Sequence, residues 1–217
     1  MKVNVEKNKA NIIKTLEKLK NEENNERKKV GIDNLIQYLL STDFFTAPAS
    51  THYHLSCEGG LAQHSLNVYK RLYNEVITEI TKIVGDDEEA VSKVTADMRY
   101  SIVICSLCHD ICKTNFYEAT TRNIKNPETG KWETVPSYSV NDQLAMGHGE
   151  KSLYILMKLG VVLSDEEALA IRWHMGGFDT AFKGGAYGLN EVYDKSLLAL
   201  LLHIADQKAS HIDEIEK

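Results

Sequence analysis

Apolar positions recur at helical spacing along most of this chain. Ile12, Ile13, Leu16 and Leu19 form one stripe among Lys, Glu and Asn. They predict an amphipathic surface helix within an N-terminal stretch, residues 1–30. Ile32, Leu35, Ile36, Leu39 and Leu40 predict a second, short helix after Gly31. Residues 41–60 have no such period and hold Pro48, His52, His54 and the pair Gly59-Gly60. The period returns with Leu61, His64, Val68, Leu72, Val76, Ile80 and Ile83, and breaks at Gly85-Asp86-Asp87. Val91, Val94, Met98, Ile102, Val103 and Ile104 then lead into Leu107. The last turns of that run are apolar all round, the mark of a buried helix. Further helices are expected at about 144–159, 164–175 and 195–215. The last carries Leu197, Leu198, Leu200, Leu201, Leu202 and Ile204 and belongs in the core.

One segment breaks the helical rule. Between residues 115 and 140, two stretches rich in Thr, Tyr, Trp and Val flank Asn126-Pro127-Glu128-Thr129-Gly130. That pattern predicts a β-hairpin, the one strand signal in the chain. The domain plan is therefore an N-terminal amphipathic helix (1–30) followed by one main domain (31–217).

Composition narrows the classes. The chain has 217 residues, 43% apolar and 26% charged, with 3 prolines. Average usage would give about 11 prolines, so long helices are favoured over many turns. No apolar run approaches the roughly 18 residues needed to span a bilayer. The N-terminus has no apolar signal core, so a cytoplasmic protein with reduced cysteines is expected and no membrane partner. The net charge of −6 argues against a stable grip on duplex DNA. It leaves open a small anionic substrate held through metal ions.

Several ionisable residues sit where apolar ones belong. His109-Asp110 follows the run from Ser101 to Cys108, Asp206 follows the leucine-rich run of the last helix, and His64 lies on the apolar face of its own. His148 and His174 lie in Met146-Gly147-His148-Gly149-Glu150 and Trp173-His174-Met175-Gly176-Gly177. A lone histidine on such a face is usually a core residue bonded to backbone. Together, these imidazoles and carboxylates would cost many kcal/mol to bury unpaired. A divalent cation removes that cost. An all-nitrogen-and-oxygen donor set suits Mn²⁺, Fe²⁺, Mg²⁺ or a catalytic Zn²⁺.

The set His64, then His109-Asp110, then Asp206 resembles the metal-binding pattern of the HD superfamily of phosphohydrolases. His148 and His174 fall where two-metal members carry extra histidines. His109-Asp110-Ile111-Cys112-Lys113 is spelled as in phosphodiesterase-type members. Upstream, Phe45-Thr46-Ala47-Pro48-Ala49-Ser50, the nearby His52 or His54, and Gly59-Gly60-Leu61-Ala62-Gln63-His64 are similar to the HD module of bacterial 3′–5′ exoribonucleases. Those enzymes add an OB-fold, for which this chain is too short. The likeness is strongest to stand-alone HD proteins of Firmicutes and their prophages and covers roughly residues 32–215.

The resemblance implies an all-α fold, an HD-domain helical bundle, with the β-hairpin inserted at about 115–140. It implies that His64, His109, Asp110 and Asp206 bind a first metal. Asp110 would bridge to a second held by His148 and His174, giving one or two divalent ions per chain. The expected activity is hydrolysis of a phosphoester of a nucleotide or short oligonucleotide by metal-activated water. Asp110 and Lys113 would be catalytic. Lys113, one turn from the His-Asp pair, would also bind phosphate.

Other features carry less. Arg122, with Lys125, Lys131 and Trp132 on the hairpin, is a candidate for substrate contact, and the hairpin reads equally as a lid, a flap or a dimer arm. Arg172 and Lys183 are further substrate-binding candidates, Lys183 in the glycine-rich segment 183–188 that would shape substrate entry. His52 and His54 are read as pocket-lining, His203 and His211 as structural. Self-association is left open. Two other readings remain on the table. One is a non-catalytic metal- and nucleotide-binding module acting as a sensor or complex component. The other is a haem carrier, since Cys105-Ser106-Leu107-Cys108-His109 spells C-x-x-C-H, although attachment would need exposed cysteines.

Overall fold

The computed structural model describes residues 3–186 and 188–215. Met1, Lys2, Tyr187, Glu216 and Lys217, which fall in the segments assigned above as 1–30, 183–188 and 31–217, lie outside the described residues. Among the described residues ten α-helices dominate: α1 (Val5–Glu22), α2 (Glu26–Ser41), α3 (Gly60–Val84), α4 (Glu88–Asp97), α5 (Arg99–Cys108), α6 (His148–Lys158), α7 (Asp165–Trp173), α8 (Thr180–Lys183), α9 (Gly188–Lys195) and α10 (Leu197–Lys208). Two strands, β1 (Tyr117–Lys125) and β2 (Trp132–Val140), pair antiparallel from Tyr117↔Val140 to Lys125↔Trp132.

The strands correct the expected class. The chain is mostly helical, 63% of the described residues, but it is not all-α, because a two-stranded antiparallel sheet is part of the fold. β-branched and aromatic residues favour the extended chain there. Asn126 closes the turn, its side chain accepting from the backbone N–H groups of Glu128 and Thr129 at 2.9 and 3.1 Å. Most of the ribbon is exposed on both faces, so it stands off the helices instead of forming a layer with them.

The helices share one core. α3 packs against α1, α4, α5 and α10, and α10 packs against α7 and α9. Ile12 and Leu16 of α1 are fully buried with Ile32, Leu35, Leu61, Leu72, Ile104 and Leu107. The N-terminal stripe is thus part of the main core. The apolar period read over 91–107 is two helices that meet at Met98, which is at once the C-cap of α4 and the N-cap of α5. The segment after His174 also holds two short helices, α8 and α9. Among the described residues no helix is long and apolar enough to cross a membrane.

Two glycines fix the approach of elements to the centre. A Cβ on Gly60 would lie 2.1 Å from the Leu55 carbonyl oxygen, so the 44–59 loop packs directly on the first turn of α3. A Cβ on Gly149 would lie 2.0 Å from the Arg172 carbonyl oxygen, which lets α6 cross closely over the end of α7.

Candidate metal centre

Helix ends build the site. His109 and His174 are the C-cap residues of α5 and α7. Each uses the same device: its ring Nδ1 donates to a carbonyl three residues back, Ser106 O at 2.9 Å and Ile171 O at 2.7 Å. Those carbonyls belong to the last turn of a helix and have no partner within it. The bonds settle the tautomer of both neutral rings, with Nδ1 protonated and a lone pair on Nε2. His64, in the second turn of α3, is set the same way from the other side. Its Nδ1 lies 3.0 and 3.1 Å from the two carboxylate oxygens of Glu214.

The Nε2 atoms converge. His64 Nε2 lies 3.2 Å from His109 Nε2 and 3.2 Å from Asp206 Oδ1. Asp110 Oδ2 is 3.6 Å from both Nε2 atoms, and Asp110 Oδ1 is 3.5 Å from His174 Nε2. A contact of 3.5 Å is too long for a hydrogen bond. Asp110 Oδ1 and His174 Nε2 accordingly have no hydrogen-bond partner although both are buried. Among the described residues His64, His109 and Asp206 form one group whose ligand atoms all lie within 4.8 Å of one another; His54, His64 and Glu214 form another. Buried His, Asp and Glu groups here could hold a metal ion.

The electrostatics favour a cation. The C-terminal ends of α5 and α7 bring negative partial charge to the same place as Asp110, Asp206 and Glu214. Burial alone would lower the pKa of His64, but the Glu214 and Asp206 carboxylates hold it up at about 10. In the metal-free chain a proton on His64 therefore serves as the positive charge among these acceptors. Burial pushes His109 down to about 4, so its ring is neutral and ready to act as a ligand. Burial also opposes ionisation of Asp110, yet Lys113, His109 and His174 keep it well below the usual carboxylate range. Lys113 Nζ sits 2.7 Å from Asp110 Oδ2. Asp110 raises the pKa of Lys113 against the effect of burial, so it remains a cation.

The centre forms the floor of a cleft of about 1110 Å³. Asp110, Lys113, His148 and Asp206 open into it, with Arg122 and Tyr117 from the hairpin and His52, Tyr53 and His54 from the 44–59 loop. Phe178, His211 and Glu214 complete this part of the wall. His148 Nδ1 lies 3.6 Å from Cys112 Sγ, and its ring meets Phe116 edge-on at 5.8 Å. No family model matches this chain, and neither a curated protein nor a solved structure is significantly similar to it.

The geometry of the site sorts the candidates read from sequence. His64, His109, Asp110, His174 and Asp206 meet at one point, Lys113 is bonded to them, and His148 lies on the adjoining cleft wall. Arg122 reaches the cleft; Arg172 and Lys183 are not among its lining residues. Arg172 is paired with Glu150 and, at 2.9 Å, with Asp179, and it stacks on Trp173. Lys183 lies over the Phe178 ring at 5.6 Å. His203 donates to the His174 carbonyl oxygen at 2.7 Å and so supports a ligand candidate. Cys105 and Cys108 are fully buried, which excludes the exposed pair that haem attachment requires. Burial pushes the Cys108 and Cys112 thiols up to about 12, so they offer no thiolate to a metal.

Three residues were not found by reading the sequence. Glu214 lies in a charged tail where a glutamate reads as solvated, and its only signal is a position two turns after Asp206. Asn67, one turn after His64, donates to Glu214 at 2.9 Å. Tyr117, the first residue of β1, is held near Lys113, and burial, opposed by that lysine, raises its pKa to about 12.

Proposed function

We propose that this chain is a cytoplasmic metal-dependent phosphohydrolase of the HD superfamily type, acting on a phosphoester of a nucleotide or short oligonucleotide. The observation that carries the reading is the convergence of three imidazole Nε2 atoms on two buried carboxylates at the floor of an open cleft. His64, His109, Asp110 and Asp206 would hold one divalent ion. Asp110 Oδ1 and His174 Nε2, both without a hydrogen-bond partner, would turn toward a second, with His148 beside it. The donor set fits such an ion because the His109 and His174 rings already donate through Nδ1 and, when neutral, cannot satisfy another acceptor through Nε2. Imidazole and carboxylate without thiolate favour Mn²⁺, Fe²⁺ or Zn²⁺, with Mg²⁺ at the weak end. A bound divalent ion supplies a water of lowered pKa and neutralises charge on phosphoryl oxygens.

The chain's own residues then have separable tasks. Lys113 offers a charge-assisted donor to a phosphoryl oxygen at the cleft floor. Arg122 provides a second cation higher on the wall. Tyr53 and Phe178 give the same wall apolar faces on which a base can stack. Tyr117 is held protonated and can donate beside Lys113. Two basic side chains in a wide cleft suit a small substrate better than a long duplex.

The test has two stages. Elemental analysis of never-chelated protein should find one or two transition-metal ions per chain. Loaded protein should then release phosphate or a nucleotide from at least one member of a panel of nucleoside phosphates, bis-p-nitrophenyl phosphate and short RNA. Metal without any product, together with tight nucleotide binding, would make the protein a binding module instead. A chain that takes up no metal after incubation with Mn²⁺, Fe²⁺ or Zn²⁺ would overturn the reading.

A further inference from the structure

We infer that Glu214 is a positioning residue that aims the His64 lone pair at the metal by holding the Nδ1 proton. The inference rests on the metal reading above.

The chain reaches this residue by a local irregularity. After α10 it continues as a π-helical turn, Ala209–Asp213, and Glu214 N donates to Ala209 O at 3.1 Å. An uninterrupted α-helix would carry position 214 about 80° around the axis from Asp206. The wider turn takes up extra residues and brings Glu214 back toward the face of Asp206. Both side chains then meet His64 from opposite edges: Glu214 at Nδ1, 3.0 Å away, and Asp206 at Nε2, 3.2 Å away.

That opposition gives Glu214 its task. A neutral imidazole has one proton and one lone pair. Asp206 next to Nε2 attracts the proton to that nitrogen, which would remove His64 as a ligand. Glu214, its side chain fully buried, attracts it to Nδ1 with both carboxylate oxygens. The carboxylate is itself fixed by a relay of amides. Asn8 Nδ2 donates to Gln63 Oε1 at 3.0 Å, Gln63 Nε2 to Asn67 Oδ1 at 2.9 Å, and Asn67 Nδ2 to Glu214 Oε1 at 2.9 Å. His109 and His174 have only backbone carbonyls at Nδ1, so His64 alone of these three is oriented by a charge. His54 stacks on His64 with ring centres 4.9 Å apart, and its Nδ1 lies 3.5 Å from Glu214 Oε2. A separate ion held by His54, His64 and Glu214 would need a second lone pair on His64, which a neutral ring does not have.

The experiment measures Mn²⁺ dissociation constants by electron paramagnetic resonance on the full chain, with metal-free melting temperatures as a control for folding. Glu214→Ala should bind Mn²⁺ about 10–100-fold more weakly, the usual cost of losing such a partner. Glu214→Gln keeps an acceptor and the shape but loses the charge, so it should recover part of that affinity. It also serves as the readout if the alanine variant does not fold. Asp213→Asn loosens the same turn by weakening the ion pair with Arg71, at 2.5 Å, without touching His64. It should leave Mn²⁺ affinity within about twofold of wild type. If Glu214→Ala and Glu214→Gln both bind Mn²⁺ like wild type, or if Asp213→Asn weakens binding as much as they do, the positioning role is refuted while the metal reading stands. If wild type binds no Mn²⁺, both fall together.

Discussion

Asp110 uses its two oxygens differently, and that difference sets what two substitutions should do. Oδ2 holds Lys113 at 2.7 Å, while Oδ1 faces His174 at 3.5 Å without a hydrogen bond. Asp110→Asn keeps the shape but removes the charge and one acceptor. It should abolish retention of metal through dialysis, and turnover with it; elemental analysis beside a phosphoester assay reads both. Wild-type metal content in that variant would remove Asp110 from the ligand set. Lys113→Ala takes away a cation that competes with the metal for Asp110, so metal content should stay at the wild-type value. Turnover should fall about 10²–10³-fold, as when one preorganised donor to a developing charge is lost. Loss of metal in the lysine variant would make Lys113 a structural counter-ion. The central residues were legible in the sequence because an imidazole or carboxylate inside an apolar run is costly and demands a reason. Glu214 was not legible because the tail from Gln207 onward is mostly polar and a π-turn precedes it. Arg172 looked available in the sequence; Glu150 and Asp179, distant or loop residues with no periodic signal, occupy it.

Helices were legible where one face was apolar, and less so where the chain bends or pairs. Apolar spacing alone runs through Met98, whereas the backbone ends α4 there and starts α5. The hairpin shows why the all-α class fails: its strands pair with each other along their inner edges and leave the outer edges and most side chains exposed. How helices cross is also invisible to periodicity, and Gly149 is the clearest case. Its missing side chain lets α6 approach the Arg172 carbonyl at the end of α7, beside His174. Gly149→Ala must push the two helices apart. A loss of about 1–3 kcal/mol is expected for such overpacking, read as a lower melting temperature by circular dichroism. Gly177→Ala is the control, because a Cβ there meets nothing within 4 Å, and it should stay within about 0.5 kcal/mol of wild type. Equal melting temperatures for the two variants would show that α6 and α7 have slack the packing does not reveal.

At the scale of the whole molecule, the centre joins α3, α5, α7 and α10 at one point, so whatever fills it acts on global stability. Without metal, the three buried carboxylates are faced by Lys113 and by the proton held on His64. The folded chain presents the ligands together; the unfolded chain does not. A cation that binds only the folded form stabilises it by about 2.7 kcal/mol at a hundred times its dissociation constant. For a chain of this size each kcal/mol shifts melting by roughly 2–4 °C, so saturating metal should raise the melting temperature by about 5–11 °C. The chemistry of the donors fixes the order among ions. Ca²⁺ prefers six to eight oxygen ligands, whereas the groups that meet here include three imidazoles. At equal concentration Mn²⁺ and Zn²⁺ should therefore stabilise more than Mg²⁺ or Ca²⁺, and a chelator should reverse the gain. Asp110→Asn should respond to none of them. A shift of the same size with Ca²⁺ as with Zn²⁺, or a shift that persists in Asp110→Asn, would mean that the ions act on surface carboxylates and that the buried cluster is held together by its own protons and hydrogen bonds.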